Sequence, residues 1–235
     1  MSTPAPPPKR TRAPSPVANW EAYDFIDLGA GSGGSIRHCS RRFKARGIGI
    51  ERSLKRVNQA REAGIEVIHG DGALFDCEKV VRFVTMMDML EHLPDLNVVE
   101  IVLAKAIKAA RQFIFIRHPS FEGEERARQR NYVVGHWREG FGHTAHIMLS
   151  DFAEMFARLG VGPVTVNSVE PIRHTSHEVI MGIDGDKPDE AIDPPLWRRH
   201  DIFVQIAPMP ADEWESITKP LSKEYPLGVH RFVLS

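Results

Sequence analysis

The stretch Asp27-Leu28-Gly29-Ala30-Gly31-Ser32-Gly33-Gly34 decides the fold of this chain. It ends a short apolar run, residues 23–28, which is typical of a buried strand. After it, Ile36, Cys39 and Phe43 recur at spacings of three and four residues, which indicates an amphipathic helix. The stretch is therefore a glycine-rich turn that joins a strand to a helix.

Strand and helix patterns alternate along the rest of the chain. Further apolar runs that are typical of strands lie at residues 47–51, 65–68, 81–87, 113–116, 164–169 and 202–206. Amphipathic segments lie between most of them, such as the helix predicted over residues 96–110. This alternation predicts an α/β, Rossmann-like fold, with a mostly parallel sheet and helices on both of its faces.

The glycine turn matches two ligand-binding patterns. Gly29, Gly31 and Gly34 fit the G-x-G-x-x-G turn that brings a pyrophosphate to a helix N-terminus. Gly29, Gly31 and Gly33, preceded by Asp27, fit an acid-x-G-x-G-x-G loop instead. A carboxylate is awkward next to a pyrophosphate but suits a ligand with an ammonium group. S-adenosylmethionine has an amino group and a sulfonium and no phosphate, so electrostatics favours this ligand over NAD.

Further acidic residues follow the predicted strands. Glu51 ends the second strand and can accept hydrogen bonds from both hydroxyls of a ribose, which does not discriminate between the two ligands. Asp71 follows the third strand and Asp88 the fourth. The carboxyl ends of parallel strands lie along one edge of a sheet, where ligands bind in such folds. We therefore expect these acids to lie together in one site.

These motifs and the segment Met86-Met87-Asp88-Met89-Leu90-Glu91-His92-Leu93-Pro94 resemble those of class I S-adenosylmethionine-dependent methyltransferases, over residues 23–206. The resemblance implies a seven-stranded sheet whose last strand is antiparallel, and S-adenosyl-L-methionine as the cofactor. It implies that the glycine loop holds the methionine part, Glu51 the ribose, and Asp71 the adenine. The cofactor-binding residues expected in this way are Asp27, Gly29, Ala30, Gly31, Gly33, Glu51, Arg52, Asp71, Gly72, Ala73 and Asp88.

Three histidines are the candidate catalytic residues: His92, His143 and His146. A neutral imidazole can accept a proton from an acceptor group near pH 7. The spacing Asp88-x-x-Glu91-His92 also allows an alternative, because two carboxylates and an imidazole can hold Mg²⁺ or another divalent ion. His118, His143 or His146 would then complete the ligand set. We favour the interpretation without a metal, in which Glu91 complements the dipole at a helix start.

The chain divides into three predicted parts. Residues 1–19 contain a Pro-rich, basic tail that we expect to be disordered. Residues 20–207 form the methyltransferase domain, and residues 208–235 a C-terminal extension. Within the domain, residues 119–147 separate the fifth strand from the next helix, and we expect this insertion to cover the acceptor. Trp137 and Phe141 in the insertion either stack on an acceptor or pack the insertion onto the domain.

Composition excludes several classes of protein. Among 235 residues, 30 Lys and Arg balance 31 Asp and Glu, so a surface devoted to nucleic acid is not expected. Two cysteines cannot form a disulfide scaffold. No stretch approaches the roughly 18 apolar residues that a membrane span needs. We therefore expect a cytoplasmic protein without membrane contact.

The expected function is transfer of a methyl group from S-adenosylmethionine to an oxygen or nitrogen of a small-molecule acceptor. One alternative is methylation of RNA or another macromolecule, with possible metal assistance and with the basic tail as a nucleic-acid contact. Two less favoured alternatives are an NAD-dependent oxidoreductase and a binding protein without catalysis. The sequence leaves the acceptor and the oligomeric state open.

Overall fold

A computed structural model describes residues 19–138, 140–220 and 228–234. The tail predicted to be disordered lies outside the described residues, except for Asn19. Within the described ranges, no helix has both the length and the apolar character needed to cross a bilayer.

Ten strands and six α-helices make up the described part of the chain. The strands are β1 (Phe25–Leu28), β2 (Gly47–Glu51), β3 (Val67–His69), β4 (Val81–Met87), β5 (Ala110–Pro119), β6 (Tyr132–Val134), β7 (Val164–His174), β8 (Ile180–Gly182), β9 (Ala191–Gln205) and β10 (Val229–Leu234). The helices are α1 (Gly34–Phe43), α2 (Leu54–Glu62), α3 (Leu96–Ala109), α4 (Glu124–Gln129), α5 (Leu149–Arg158) and α6 (Ala211–Thr218).

Eight of the strands form one sheet in the order β10-β7-β9-β5-β4-β1-β2-β3. Strands β1 to β5 pair in parallel, and β9 is antiparallel to both β5 and β7. The α/β class with a mostly parallel sheet is thus confirmed. The expected number of seven strands is wrong, because β10 of the C-terminal extension adds an eighth strand, antiparallel to β7.

Side chains alternate between the two faces of this sheet. Along β5, Phe113 and Phe115 join an apolar cluster with α1 and α2, whereas Ile114 and Ile116 join a cluster with α3 and α5. This is the two-residue periodicity of a strand that is buried on both faces. On the first face, Phe83 lies between Phe25 and Phe113, with ring centroids 4.9 and 4.6 Å apart. Helices therefore cover both faces and leave the carboxyl ends of the parallel strands for a ligand.

Much of the insertion, residues 119–147, packs with parts of β7, β8 and β9 in a separate apolar cluster. The insertion contains α4 and β6, and β6 pairs with β8 in a separate two-stranded sheet. Trp137 is 1% exposed and its Nε1 donates a hydrogen bond to the Ser120 carbonyl at 2.7 Å. Trp137 therefore packs the insertion together, while Phe141 is 58% exposed.

Candidate active site

The glycine loop connects β1 to α1 at the carboxyl edge of the sheet. Gly29, Gly31 and Gly33 have φ angles of +78°, +56° and +89°. A Cβ on Gly29 would lie 2.3 Å from Cγ of Met89, so the following segment of the chain packs directly on the loop. A Cβ on Gly31 would meet no atom of the described chain within 4 Å. The loop therefore packs closely against the protein at Gly29 and has open space at Gly31.

Glu51 ties the end of β2 to this loop. Its Oε2 accepts a hydrogen bond from the Gly31 amide at 2.9 Å, and its Oε1 accepts one from the Ser53 amide at 2.7 Å. The residue is 5% exposed. A carboxylate has about four lone-pair sites, so Glu51 retains capacity to accept from two ligand hydroxyls.

Asp71 shapes the turn after β3. Its Oδ1 accepts a hydrogen bond from the Ala73 amide at 2.9 Å, which caps the short 3₁₀ turn Gly72–Leu74. Lys105 of α3 donates to the Ala73 carbonyl at 2.7 Å and fixes the other side of the turn. The two bonds hold the turn at the edge of the sheet beside Glu51.

Two adjoining cavities lie along this edge. The first, of about 280 Å³, brings together seven of the eleven predicted cofactor-binding residues. Its lining is Gly29, Ile50, Glu51, Arg52, Arg56, Asp71, Gly72, Ala73, Asp88, Met89, His92, Leu93 and Gly142. The second, of about 440 Å³, shares Arg56 and Asp88 with the first. Its other lining residues are Ala30, Gly31, Ser32, Gly34, Ser35, His38, Met87 and Arg117.

Asp27 and Gly33, both predicted to bind the cofactor, line neither of these cavities. Asp27 is fully buried behind the loop, where its carboxylate accepts hydrogen bonds from Thr85 at 2.6 Å and from Ser35. Burial raises the pKa of this carboxyl to about 6. Through these two hydrogen bonds, Asp27 of β1 links its strand to β4 and to α1. At Gly33 a Cβ would lie 2.5 Å from Ile65, so packing requires this glycine.

Asp88 lies where the two cavities meet. It follows β4 with a φ of +50°, a conformation that non-glycine residues rarely adopt and that is often found at functional sites. Its amide donates to the Arg117 carbonyl at 2.9 Å. The surrounding protein raises the pKa of its carboxyl, chiefly by displacing water. A carboxyl group is thus held in a strained turn between the two cavities.

Arg117 is a site residue that the sequence reasoning missed. It lines the second cavity, and its guanidinium forms two hydrogen bonds to the buried Asp201, at 2.7 and 3.0 Å. The sequence carries a signal for it, because Arg117 directly follows the apolar run 113–116, as Asp88 follows its own strand. The next residue, His118, a candidate metal ligand, is fully buried and packs against Phe121 and Phe152.

The three candidate catalytic histidines have different surroundings. His92 lines the first cavity. His143 lies 3.9 Å from Glu91, and burial lowers the pKa of its ring to about 4, so the ring is neutral at pH 7. His146 stacks on Phe121 with centroids 4.3 Å apart, contacts Glu124 at 3.2 Å and lines neither cavity. The structure therefore brings only His92 of the three to the cavity wall.

The alternative metal-binding set has a different membership in the structure. Glu91, His92 and His143 place potential ligand atoms within 4.8 Å of one another, and Asp88 is not part of this group. Glu91 is 1% exposed, and burial raises the pKa of its carboxyl to about 8. The third member comes from the end of the insertion, so folding of the insertion completes the group.

No protein-family model matches this chain, and no curated protein matches it. Several solved structures do match this chain. A SAM-dependent methyltransferase from Archaeoglobus fulgidus matches with a TM-score of 0.58 and 14% identity, over 77% of this chain and 85% of that chain. A SAM-dependent methyltransferase from Thermotoga maritima, described as a possible histamine N-methyltransferase, matches with a TM-score of 0.54 and 15% identity, over 79% and 83%.

A third match is magnesium protoporphyrin IX methyltransferase from Synechocystis, solved with bound SAH. Its TM-score is 0.51 at 12% identity, over 77% of this chain and 74% of that chain. At such low identities the similarity establishes the fold, which is that of SAM-dependent methyltransferases, as the sequence resemblance implies. The acceptors of these proteins differ, so the fold leaves the acceptor of this chain open.

Proposed function

We propose that this protein is an S-adenosylmethionine-dependent methyltransferase that acts on an oxygen or nitrogen of a small molecule. One observation carries the proposal: a single cavity is lined by the glycine loop at Gly29, by Glu51 at the end of β2 and by the turn Asp71–Ala73. These are the positions that the resemblance to class I methyltransferases assigns to the methionine, ribose and adenine parts of the donor.

The acid behind the glycine loop favours this donor over NAD. Glu51 suits either ligand, and Arg52 and Arg56 line the first cavity beside Asp71 and Asp88, so the cavity wall carries both signs of charge. The buried Asp27 lies directly behind the loop, where its carboxylate attracts an ammonium or a sulfonium and repels a pyrophosphate. When bound, the donor supplies a methyl group already activated on sulfur. Glu51 accepts from the ribose hydroxyls, and the Asp71–Ala73 turn contacts the adenine.

The second cavity has room for the methionine end of the donor, beside Ala30 and Gly31, and for an acceptor next to it. It adjoins the first at Asp88, and its volume of about 440 Å³ lies within the usual range for small-molecule pockets. Methyl transfer depends mainly on alignment of the two reactants, so a fixed cavity next to the donor supplies much of the catalysis. Asp88 itself forms the strained turn after β4, and His92 follows it by four residues. Both residues line the first cavity.

Calorimetric titration of the full-length protein with S-adenosylmethionine, S-adenosylhomocysteine and NADH tests the proposal. We expect both adenosyl compounds to bind and NADH not to bind. Glu51→Gln preserves size but removes a charge-assisted hydrogen bond to the ribose, so we expect affinity for S-adenosylmethionine to fall about 10- to 100-fold. Glu62→Gln, at the exposed end of α2, is the matched control and should leave affinity unchanged.

Binding of NADH without binding of S-adenosylmethionine would contradict the proposal. Equal affinities of the Glu51→Gln variant and the unmodified protein would contradict the assignment of Glu51. The macromolecular alternative predicts salt-sensitive binding of RNA that is lost when residues 1–16 are removed. For a small-molecule enzyme, we expect this removal to leave donor affinity unchanged.

A further inference from the structure

We propose that Glu91, His92 and His143 bind a divalent transition-metal ion at the wall of the first cavity. Glu91 and His92 lie in the 3₁₀ turn Leu90–His92 after β4, and His143 lies near the end of the insertion. One carboxylate oxygen and one ring nitrogen from each histidine lie within 4.8 Å of one another. The cluster therefore joins the sheet edge to the insertion through three side chains of metal-binding type.

Both histidines are oriented through their second ring nitrogen. Nδ1 of His92 lies 2.8 Å from the Gly142 carbonyl, and Nδ1 of His143 lies 3.0 Å from the His136 carbonyl. A carbonyl oxygen only accepts hydrogen bonds, so Nδ1 carries the proton in each ring. Nε2 then has its lone pair free for a ligand. Metal-binding histidines are usually fixed in this way, by a hydrogen bond from the nitrogen that does not bind the ion.

Glu91 supplies independent support for a bound cation. Its side chain is 1% exposed, and its Oε2 is buried without a hydrogen-bond partner among the described residues. A buried carboxylate oxygen without a partner destabilises the fold. Its other oxygen lies 3.9 Å from Nε2 of His143. A cation held by both carboxylate oxygens and by the two imidazoles would give Oε2 a partner and offset the cost of its burial.

The donor set selects the kind of ion. Two imidazoles and one carboxylate suit Zn²⁺, Fe²⁺ and similar ions, whereas Mg²⁺ prefers oxygen ligands throughout. Bonds of about 2.0–2.2 Å in a tetrahedral site place ligand atoms roughly 3.4 Å apart. The side chains therefore have to close by about 1 Å on binding. Three protein ligands leave a coordination position for water or a substrate oxygen.

The cluster borders the proposed donor site, but the proposal of a metal site does not rest on the proposed function. His92 and Gly142 line the first cavity, so the ion would border the proposed donor site. Glu51 and Asp71, proposed to bind the donor, do not belong to the cluster. Metal binding and donor binding can therefore be measured separately on the same protein.

The test uses the full-length protein without a histidine tag, treated with a chelator and dialysed, then titrated with Zn²⁺ by calorimetry and with Co²⁺ by visible absorption. We expect one equivalent of Zn²⁺ to bind, and Co²⁺ to give the absorption of a site with nitrogen and oxygen ligands. Glu91→Gln and His143→Ala should each weaken Zn²⁺ binding about tenfold or more. His146→Ala, a change in the same loop outside the cluster, should retain the affinity.

Zn²⁺ should also raise the melting temperature of the unmodified protein, and not that of Glu91→Gln, because ligands stabilise only the fold that binds them. Glu91→Gln keeps the size of the buried side chain, so it remains a folded reference. Absence of Zn²⁺ and Co²⁺ binding would overturn the proposal, as would equal binding by the Glu91→Gln variant. A protein that binds S-adenosylmethionine but no metal refutes this site alone. One that binds metal but no donor refutes the proposed function alone.

Discussion

Replacing Asp27 with asparagine should change the pH dependence of folding. Asp27 is fully buried and accepts hydrogen bonds from Thr85 and Ser35. The asparagine side chain would have nearly the same shape and one oxygen to accept a hydrogen bond, but no charge. The substitution therefore isolates the energetic effect of a buried negative charge behind the glycine loop.

The pKa of Asp27 determines the size of the effect. Burial raises this pKa from its ordinary value of 3.8 to about 6. The folded protein therefore binds this proton more tightly than the unfolded chain does. The contribution of this carboxyl to the free energy of unfolding is therefore greatest at low pH and is lost as the pH rises from about 4 through 6. At 1.36 kcal/mol per pKa unit, the loss reaches about 3 kcal/mol by pH 8.

Urea unfolding of the full-length protein and the Asp27→Asn variant between pH 4 and 8 measures this difference. We expect the free energy of unfolding of the variant, relative to the unmodified protein, to increase by about 2–3 kcal/mol across this range. Glu62→Gln, an exposed change on α2, should alter stability by less than about 0.5 kcal/mol at each pH.

A relative stability that stays constant with pH would refute this reasoning, because it would mean that burial does not penalise the charged form of Asp27. A decrease with rising pH would refute it more strongly, since the carboxylate would then stabilise the fold. Calorimetry at pH 8 completes the experiment. If the charge of Asp27 attracts the donor's ammonium across the loop, the variant binds S-adenosylmethionine more weakly although it is the more stable protein.

Two further predictions concern the loop and the insertion. Gly31→Ala should weaken donor binding about tenfold or more, because its methyl group enters the space beside the loop, and should cost about 1 kcal/mol of stability, because Gly31 has a φ of +56°. Gly29→Ala should lower the free energy of unfolding by about 2 kcal/mol or more, since its methyl group would collide with Met89. Urea unfolding measures the stability of both variants and calorimetry their donor affinity, and a larger stability loss in Gly31→Ala than in Gly29→Ala would contradict this prediction. Trp137→Phe should lower stability by about 1–3 kcal/mol through loss of its hydrogen bond and volume. Its KM for an identified acceptor should stay unchanged, and a large rise in KM would instead indicate stacking on the acceptor.

The strand pattern predicts that several residues of the first cavity lie together. Gly29 and Asp88 directly follow apolar runs, Glu51 ends one and Asp71 lies three residues after one, and the carboxyl ends of parallel strands share one edge. Their meeting in space therefore follows from the strand pattern alone. Arg117 carries the same signal, because it directly follows the apolar run 113–116.

Non-local pairing explains the features that were not predicted. Strand β10 pairs with β7 across a long separation in sequence, and β6 pairs with β8 between the insertion and a later loop. Short strands at sheet edges have little periodicity of their own, because their stability comes from the partner. The sequence pattern therefore predicts too few strands although it predicts the fold class correctly.

By itself, the sequence determined the α/β class, the glycine turn and the set of acids at the sheet edge. These depend on patterns within single strands and helices and on the rule that parallel strands end together. Only the tertiary structure decided that Asp27 lies behind the loop and that His143, not His146, meets Glu91. The physical reason is that side-chain direction and contacts between the insertion and the sheet depend on packing between distant segments, which no local spacing encodes.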